Sequence, residues 1–398
     1  MSTLDAELKT RLAAIREQGL LRELRRVDSP QGPRIRIGGQ DLINFSSNDY
    51  LGLANHPALK DAATKAVADF GAGTGASRLI CGSLAPFHEL EETLAAFKGT
   101  EAALTFSTGY AAAVGTITAL IGKDDIIIVD KLVHACIVDA AKLSGAKLRV
   151  FAHNDLDDLE DILKWTTKQP SPQTPDARRH ALIITESIFS MDGDAAPLKE
   201  IVALKEKYGA LLMVDEAHAT GLYGTNRRGL VETLGVSDHI EIQMGTLGKA
   251  LGASGGYICG SRALIDFLVN RARSFIFSTA PVPAAAAAAN AGVRLVQSGQ
   301  GHTLNEQLWA CVAELQSAIG NRQPAIPSAI VPVILGDEAQ AVGAASALRD
   351  RGLFVPAIRY PTVARGSARL RITLTAAHKP DDVAALVAAL TPLVNRKS

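Results

Sequence analysis

The sequence has few cysteines, few aromatic residues and no excess of either charge. Its 398 residues include four cysteines and 5% aromatic residues, and 41 basic residues balance 41 acidic ones. A formal charge of zero leaves no basic stripe of the kind that binds nucleic acid. The cysteines lie far apart and form no CxxC pair, which argues against zinc ligands and against disulfides. They are predicted to be small buried residues in a reducing compartment, at Cys81, Cys136, Cys259 and Cys311.

Long apolar runs are also missing. No stretch reaches the roughly 18 apolar residues that a membrane-spanning helix needs. Residues 1–26 are charged throughout and lack the apolar core of a signal peptide. Leu4, Leu8, Leu12 and Ile15 fall at helical spacing, which predicts an amphipathic helix lying on the body of the protein. These features favour a cytoplasmic protein with neither a membrane nor a nucleic-acid partner.

Short apolar segments alternate with helix-like segments through the middle of the chain. The apolar segments are predicted strands at residues 102–106, 125–129, 147–151, 181–185, 210–214 and 240–244. Such alternation predicts an α/β fold with a mostly parallel sheet covered by helices on both faces. From about residue 300 the order changes, and a smaller α+β domain is expected. The predicted parts are a helix with lead-in strands at 1–45, a large domain at 46–295 and a small domain at 296–398.

Polar residues follow the predicted strands, at the edge where parallel sheets bind ligands. They are Thr108, Glu186, Asp215, His218, Thr246 and Lys249. Lys249 lies in the glycine-rich segment GTLGKALGASGGY at 245–257, and such clusters indicate close approach to something flat or charged. Lysine normally titrates near 10.4, so a nucleophilic lysine requires burial or a cationic neighbour. The alternative is an ordinary solvated loop lysine.

Asp215 and His218 follow the apolar strand of LLMVDEAHATG at 211–221. An acid at a strand end can bind the protonated ring nitrogen of a heterocycle, and a histidine three residues later can donate to an oxygen of that ring. The alternative is a magnesium-binding aspartate of a nucleotide hydrolase. Such enzymes need a phosphate loop of the GxxxxGKS/T type, which the sequence lacks.

The segment FSTGYAAAVGTI at 106–117 ends a strand and begins a helix, and helix N-termini bind phosphate well. Thr246 can add a hydroxyl, whereas Ser107 and Thr108 are alternatively ordinary helix caps. His134 can stack on an aromatic cofactor or be structural. A Schiff-base lysine, an acid, a histidine and a phosphate cradle together specify pyridoxal 5′-phosphate (PLP), an electron sink for carbanions.

Four segments resemble the α-oxoamine synthases, which are fold-type I PLP enzymes of the aspartate-aminotransferase type. They are DEAHATG at 215–221, GTLGKALGASGGY at 245–257, FSTAP at 277–281 and PTVARGSARLRITLTAAH at 361–378. The similarity runs from about residue 20 to the end of the chain. It implies a homodimer with sites at the subunit interface, and a decarboxylative condensation of an amino acid with an acyl thioester.

Within the family, the chain is most similar to members that condense L-alanine with a pimeloyl thioester in biotin biosynthesis. The thioester is carried by CoA or by acyl carrier protein. The alternatives are glycine C-acetyltransferase, 5-aminolevulinate synthase and serine palmitoyltransferase activities. A non-catalytic subunit with the same fold is a further alternative, but such a subunit would be expected to lose the lysine that is present here as Lys249.

The resemblance also implies roles for individual residues. The implied catalytic residues are Lys249, His134, Asp215 and His218. The implied cofactor ligands are these four together with Gly109, Tyr110, Ser190, Thr246, Ser278 and Thr279, the last two serving the neighbouring subunit. The implied substrate ligands are Arg25, His134, Thr362 and Arg371, of which Arg371 grips the amino-acid carboxylate through its planar fork. No metal is implied.

Overall fold

A computed structural model describes residues 2–169, 180–319 and 325–394. The helices in these ranges are α1 (Thr3–Glu17), α2 (Pro57–Phe70), α3 (Ala85–Lys98), α4 (Gly109–Leu120), α5 (Ala135–Ser144), α6 (Leu156–Thr167), α7 (Leu198–Tyr208), α8 (Leu230–Leu234), α9 (Arg262–Arg271), α10 (Arg273–Ile276), α11 (Pro283–Gln297), α12 (Gly299–Ala318), α13 (Glu338–Asp350) and α14 (Pro380–Val394). The strands are β1 (Arg34–Ile37), β2 (Gln40–Asn44), β3 (Ala102–Phe106), β4 (Ile126–Asp130), β5 (Lys147–Phe151), β6 (Ala181–Glu186), β7 (Leu211–Asp215), β8 (Ile242–Thr246), β9 (Gly256–Gly260), β10 (Ile330–Gly336), β11 (Leu353–Phe354), β12 (Ala357–Ile358) and β13 (Ala368–Thr373).

A seven-stranded sheet forms the centre of the molecule, in the order β3-β9-β8-β7-β6-β4-β5. Strand β9 runs antiparallel to both neighbours, and the pairs from β8 to β5 are parallel. The six predicted strands are confirmed to within two residues. The prediction missed β9, because its Gly-Tyr-Ile-Cys-Gly sequence follows the glycine cluster without a visible period.

Helices cover both faces of this sheet, as predicted. Successive residues of β4 show why, since Ile126 and Ile128 pack into one hydrophobic core and Ile127 and Val129 into the other. Side chains alternate between the faces of a strand, so a strand buried on both sides reads as a continuous apolar run. The α/β fold with a mostly parallel sheet is therefore confirmed.

Two smaller sheets complete the fold. Strands β1 and β2 form a hairpin whose turn residues, Gly38 and Gly39, have φ of 59° and 79°. Two successive positive φ values favour glycine at both positions. Strand β11 adds to β2 in parallel, and β10, β13 and β12 form an antiparallel sheet. The C-terminal α+β arrangement is thus confirmed, whereas the limits of the three predicted parts stay a prediction.

Two expectations from the sequence are wrong. Helix α1 forms as predicted but buries none of its residues, and Leu4 is 60% exposed, so it does not lie on the body of its own chain. Cys81 is exposed, whereas the other three cysteines are buried, and all four are free thiols. In the described ranges no helix is long and apolar enough to cross a membrane. The location of the protein stays a prediction.

Candidate functional site

Two carboxyl groups end neighbouring strands at the carboxyl edge of the large sheet. Glu186 ends β6 and lies opposite Asp215, which ends β7, and both side chains are buried. Burial raises the pKa of Glu186 to about 8, and the charge of Asp215 adds to this rise. Burial also raises the pKa of Asp215, while the charge of Lys249 opposes the rise. Glu186 is therefore the member of the pair that holds a proton near neutral pH.

Lys249 lies three residues beyond the end of β8, and its Nζ is 2.9 Å from Nε2 of His218. Burial lowers the pKa of Lys249, and the charges of Asp215 and Glu186 oppose that effect. Burial lowers the pKa of His218 well below its ordinary value, and the charge of Lys249 lowers it further. The site thus holds an amine that is more readily neutral than an exposed lysine, which nucleophilic chemistry requires.

The glycines around Lys249 are needed for packing within the chain. A Cβ on Gly245 would lie 2.3 Å from the hydroxyl oxygen of Tyr257, and a Cβ on Gly252 would lie 2.5 Å from Cβ of Leu53. Gly252 also has a φ of 68°, which disfavours other residues. The expected close approach to something flat is confirmed at Gly245, where that group is the ring of Tyr257, and is wrong at Gly252, whose close neighbour is Leu53. Gly252 instead brings the Lys249 segment against the segment that follows β2.

That segment supplies two site residues that the sequence analysis missed. The hydroxyl of Tyr50 lies 2.6 Å from Nδ1 of His218. Oδ1 of Asn48 lies 3.3 Å from the Tyr50 hydroxyl and accepts from Nη2 of Arg371 at 3.2 Å. The available signal was the polar run SSND at 46–49 placed directly before the apolar YLGL. Such a run marks a loop at a strand end.

Arg371 lies on β13 and is buried, and its hydrogen bonds go to uncharged oxygens. Its Nε donates to the carbonyl of Ser190 at 2.7 Å, in addition to the bond with Asn48. Ser190 in turn donates its backbone N–H to Oε2 of Glu186 at 3.1 Å. Among the described residues no carboxylate forms an ion pair with Arg371. A buried guanidinium without a carboxylate partner suits an external carboxylate.

The start of helix α4 meets β8 at the other end of the site. Oγ1 of Thr108 accepts from the N–H of Ala111 at 3.0 Å, so the alternative of an ordinary helix cap is confirmed for Thr108. Oγ1 of Thr246 is buried and has no hydrogen-bond partner in the described part of the chain. A Cβ on Gly109 would lie 2.6 Å from Cγ2 of Thr246. An unpaired hydroxyl beside helix N–H groups fits a phosphate.

Two further predicted residues lie at helix N-termini. Nδ1 of His134 accepts from the N–H of Cys136 at 3.2 Å and so caps α5. Partial burial lowers the pKa of His134. The charge of Asp215 raises this pKa and the charge of Lys249 lowers it, so the His134 ring lies near both residues. Tyr110 follows Gly109, and its hydroxyl donates to Oδ2 of Asp139 at 2.9 Å.

The structure does not bring four predicted residues to Lys249. Thr279 forms an isolated antiparallel β-bridge with Ser77. In the described ranges no contact joins Ser278 or Thr279 to Lys249. Oγ1 of Thr362 accepts from Nη2 of Arg22 at 3.3 Å. A cleft of about 500 Å³ is lined by Thr362, Arg22, Arg25 and Arg359. The cleft lies along β12, which pairs with β13 and hence lies one strand from Arg371.

Known proteins are similar to this chain in both sequence and fold. The family model for aminotransferase class I and II matches residues 40–390. The 8-amino-7-oxononanoate synthase of Anaeromyxobacter dehalogenans is 47% identical over 386 residues, which cover 96% of this chain and 94% of that relative. The structure of serine palmitoyltransferase from S. paucimobilis with bound PLP–myriocin has a TM-score of 0.90 and 31% identity, covering 100% and 99% of the two chains. The structure of 8-amino-7-oxononanoate synthase from Francisella tularensis has a TM-score of 0.73 and 27% identity, covering 89% and 97%.

These comparisons confirm the predicted fold type and the predicted cofactor, because the family uses PLP and a structural neighbour holds it. The residues present fit the cofactor, since the site combines a buried amine, a buried acid and an unpaired hydroxyl beside a helix N-terminus. The chain therefore belongs to the aminotransferase class I and II family and, within it, to the 8-amino-7-oxononanoate synthases.

Proposed function

We propose that the chain condenses L-alanine with a pimeloyl thioester, giving 8-amino-7-oxononanoate, CO2 and the free thiol, as a step of biotin biosynthesis. The observation that carries this proposal is the buried amine of Lys249 beside His218 and Asp215, in a chain 47% identical to a synthase of this name. When bound, PLP supplies an electron sink for the carbanion formed at the amino-acid Cα.

The proposed roles of the core residues follow from their charges. Lys249 binds the cofactor aldehyde and, once released, takes the α-proton of the amino acid at Nζ, because burial favours its neutral form. Asp215 holds a negative charge against the ring nitrogen, and His218 donates from Nε2 to the ring oxygen. Glu186 holds a proton, which leaves a single negative charge on the two strand ends.

Arg371 is proposed to bind the carboxylate of L-alanine. In support, its guanidinium is buried and bonds to neutral oxygens, those of Ser190 and Asn48, which leaves its charge uncompensated within the described chain. His134 is proposed to stack on the cofactor ring and to contact the substrate. Ser190 is proposed to approach the ring oxygen, and Gly109, Tyr110 and Thr246 to bind the phosphate end.

The cleft lined by Arg22, Arg25, Arg359 and Thr362 is proposed to bind the acyl substrate at its anionic end. Glu23 also lines the cleft, and three guanidinium groups against one carboxylate leave a net positive charge that suits the free carboxylate of a pimeloyl chain or the phosphates of its carrier. Comparing the rate with the pimeloyl group on CoA and on acyl carrier protein identifies the carrier.

A homodimer with shared sites is also proposed. The segments around 80 and 278 carry exposed apolar side chains, with Ile80 79% and Phe277 70% exposed, and such patches are typical of subunit interfaces. Ser278 and Thr279 of the partner subunit would then complete the phosphate site. The test mixes Lys249→Ala chains with Ser278→Ala/Thr279→Ala chains. If sites are shared, hybrid dimers contain one intact site, and activity recovers to about a quarter of the native value. No recovery contradicts the shared site.

The substrate is tested by measuring thiol release and product mass with purified protein and PLP. L-alanine, glycine and serine are each combined with pimeloyl, acetyl, succinyl and palmitoyl thioesters. L-alanine with the pimeloyl thioester is expected to react fastest, and Lys249→Ala is expected to lose both turnover and the visible band of the attached cofactor. A second candidate is serine palmitoyltransferase activity, which the TM-score of 0.90 favours. Preference for serine with the palmitoyl thioester would overturn the proposal.

A further inference from the structure

His218 is held at both ring nitrogens by groups that carry protons. Its Nδ1 lies 2.6 Å from the hydroxyl of Tyr50, and its Nε2 lies 2.9 Å from Nζ of Lys249. Both His218 and Tyr50 are buried. Burial lowers the pKa of His218 well below its ordinary value, so its ring is neutral and carries a single N–H. With the proton on Nδ1 the ring can donate a hydrogen bond to Tyr50, and with the proton on Nε2 it can donate one to Lys249.

Two proton arrangements satisfy these contacts. In the first, Tyr50 donates to Nδ1, and the Nε2–H of His218 donates to the neutral amine of Lys249. In the second, Lys249 donates to Nε2, the Nδ1–H donates to the Tyr50 oxygen, and Tyr50 donates to Oδ1 of Asn48. Only the first directs an N–H from His218 toward Lys249.

The distances favour the first arrangement. Bonds from a hydroxyl donor span about 2.5–3.0 Å and bonds from N–H about 2.7–3.2 Å. The separation of 2.6 Å between Tyr50 and Nδ1 therefore fits a hydroxyl donor, whereas the 3.3 Å between Tyr50 and Asn48 is too long for one. Asn48 Oδ1 also accepts from Arg371. Burial raises the pKa of Tyr50 to about 12, so its hydroxyl keeps the proton that it donates.

We propose that Tyr50 is a positioning residue that holds His218 as the tautomer protonated on Nε2, which directs this N–H toward Lys249 and the ring oxygen of bound PLP. The inference rests on the proposed function in taking the cofactor ring to lie against His218. Without the Tyr50 hydroxyl, the Nδ1–H and Nε2–H tautomers become more nearly equal in population. The bond from His218 to the ring oxygen is then lost in part of the molecules.

The test is nitrogen-15 NMR of the full-length protein with PLP bound and with labelled histidine. His218→Asn identifies the His218 signals. In the native protein, Nδ1 is expected to show the shift of an unprotonated ring nitrogen and Nε2 that of a protonated one. In Tyr50→Phe, the ratio of the two tautomers is expected to fall by about fivefold, the effect of one neutral hydrogen bond. The visible band of bound PLP should change in its pH dependence in the same variant.

The matched control is Tyr223→Phe, because the Tyr223 hydroxyl is also buried and donates to the Pro327 carbonyl at 2.6 Å, away from His218. It should leave the tautomer ratio unchanged. A proton on Nδ1 in the native protein overturns the inference without any variant, as does an unchanged ratio in Tyr50→Phe. A protein with the expected tautomer that does not condense alanine contradicts the proposed function alone.

Discussion

Glu186 and Asp215 stand opposite each other at the ends of two neighbouring parallel strands, and the fold buries both carboxyl groups. Two adjacent buried carboxylates repel each other, so one of them retains a proton. Each carboxyl group accepts one backbone N–H, Asp215 from Ala217 at 2.9 Å and Glu186 from Ser190 at 3.1 Å. Burial raises the pKa of both, and the charge of Asp215 raises that of Glu186 further, whereas the charge of Lys249 is the largest influence that favours the charged form of Asp215. Oε1 of Glu186 has no partner among the described residues. The site therefore presents one charge where the sequence contains two acids.

Replacing Glu186 by glutamine is expected to remove a pH dependence of stability in the protein stripped of PLP. Burial raises the pKa of Glu186 from 4.5 in the unfolded chain to about 8 in the folded one. Between these values the folded protein holds a proton that the unfolded chain has released, so the free energy of unfolding falls as pH rises from 4.5 to 8. Urea unfolding across this range should give a flatter dependence for Glu186→Gln. Parallel curves for the two proteins would contradict the assignment of the proton.

Gly109→Ala is expected to weaken PLP binding. The added Cβ would lie 2.6 Å from Cγ2 of Thr246, so the unpaired hydroxyl of Thr246 and the start of α4 must move apart. Overpacking of this kind costs about 1–3 kcal/mol, or roughly a 5- to 150-fold rise in the Kd for PLP. Fluorescence titration with PLP measures the effect. Gly122→Ala is the control, because a Cβ there has no atom within 4 Å, and it should bind PLP as the native protein does.

Arg371→Lys is expected to raise the KM for the amino acid by about 10- to 100-fold, since lysine keeps the charge but loses the bidentate fork. Steady-state kinetics with varied L-alanine at a saturating acyl thioester measure the change. Arg369→Lys is the matched control, because Arg369 lies on the same strand and pairs with Asp192 instead of facing a free site. An equal rise in KM for both variants would show that the strand as a whole, and not the Arg371 fork, sets the affinity.

Lys98→Met is expected to destabilise the fold by about 3–5 kcal/mol, because it leaves the Glu216 carboxylate buried and unpaired. The two side chains are fully buried, with Nζ 2.6 Å from Oε2, and Glu216 adjoins Asp215 in the sequence. Urea unfolding provides the free energy. Lys205→Met should cost about 1 kcal/mol or less, since its partner Glu241 is 38% exposed and can be solvated. Adding Glu216→Gln to Lys98→Met should restore much of the loss.

The strands of the large sheet and the central site residues could be predicted from sequence because their signals are local. An apolar run such as IIIV in β4 indicates a strand buried on both faces, and the polar residues after β7 and β8 indicate the edge where ligands bind. The polar run SSND at 46–49 marks the loop beside Tyr50, but no local pattern identifies the partners of its residues. Tyr50 contacts His218, 168 positions away in the sequence, and Asn48 contacts Arg371, 323 positions away. Contacts of this range depend on how the elements pack, which no window of sequence contains.

Strand periodicity and residue order were enough to predict the α/β fold and the PLP cofactor, because they place Lys249, Asp215 and His218 on one edge of a sheet. The protonation of the site residues, in contrast, depends on how the chain packs around them. Burial sets the pKa of the Glu186 and Lys249 side chains, and the hydroxyl of Tyr50 reaches His218 because Gly252 lets two distant segments pack at close range. Desolvation and donor geometry are properties of the folded surroundings, so they appear only when the chain is folded.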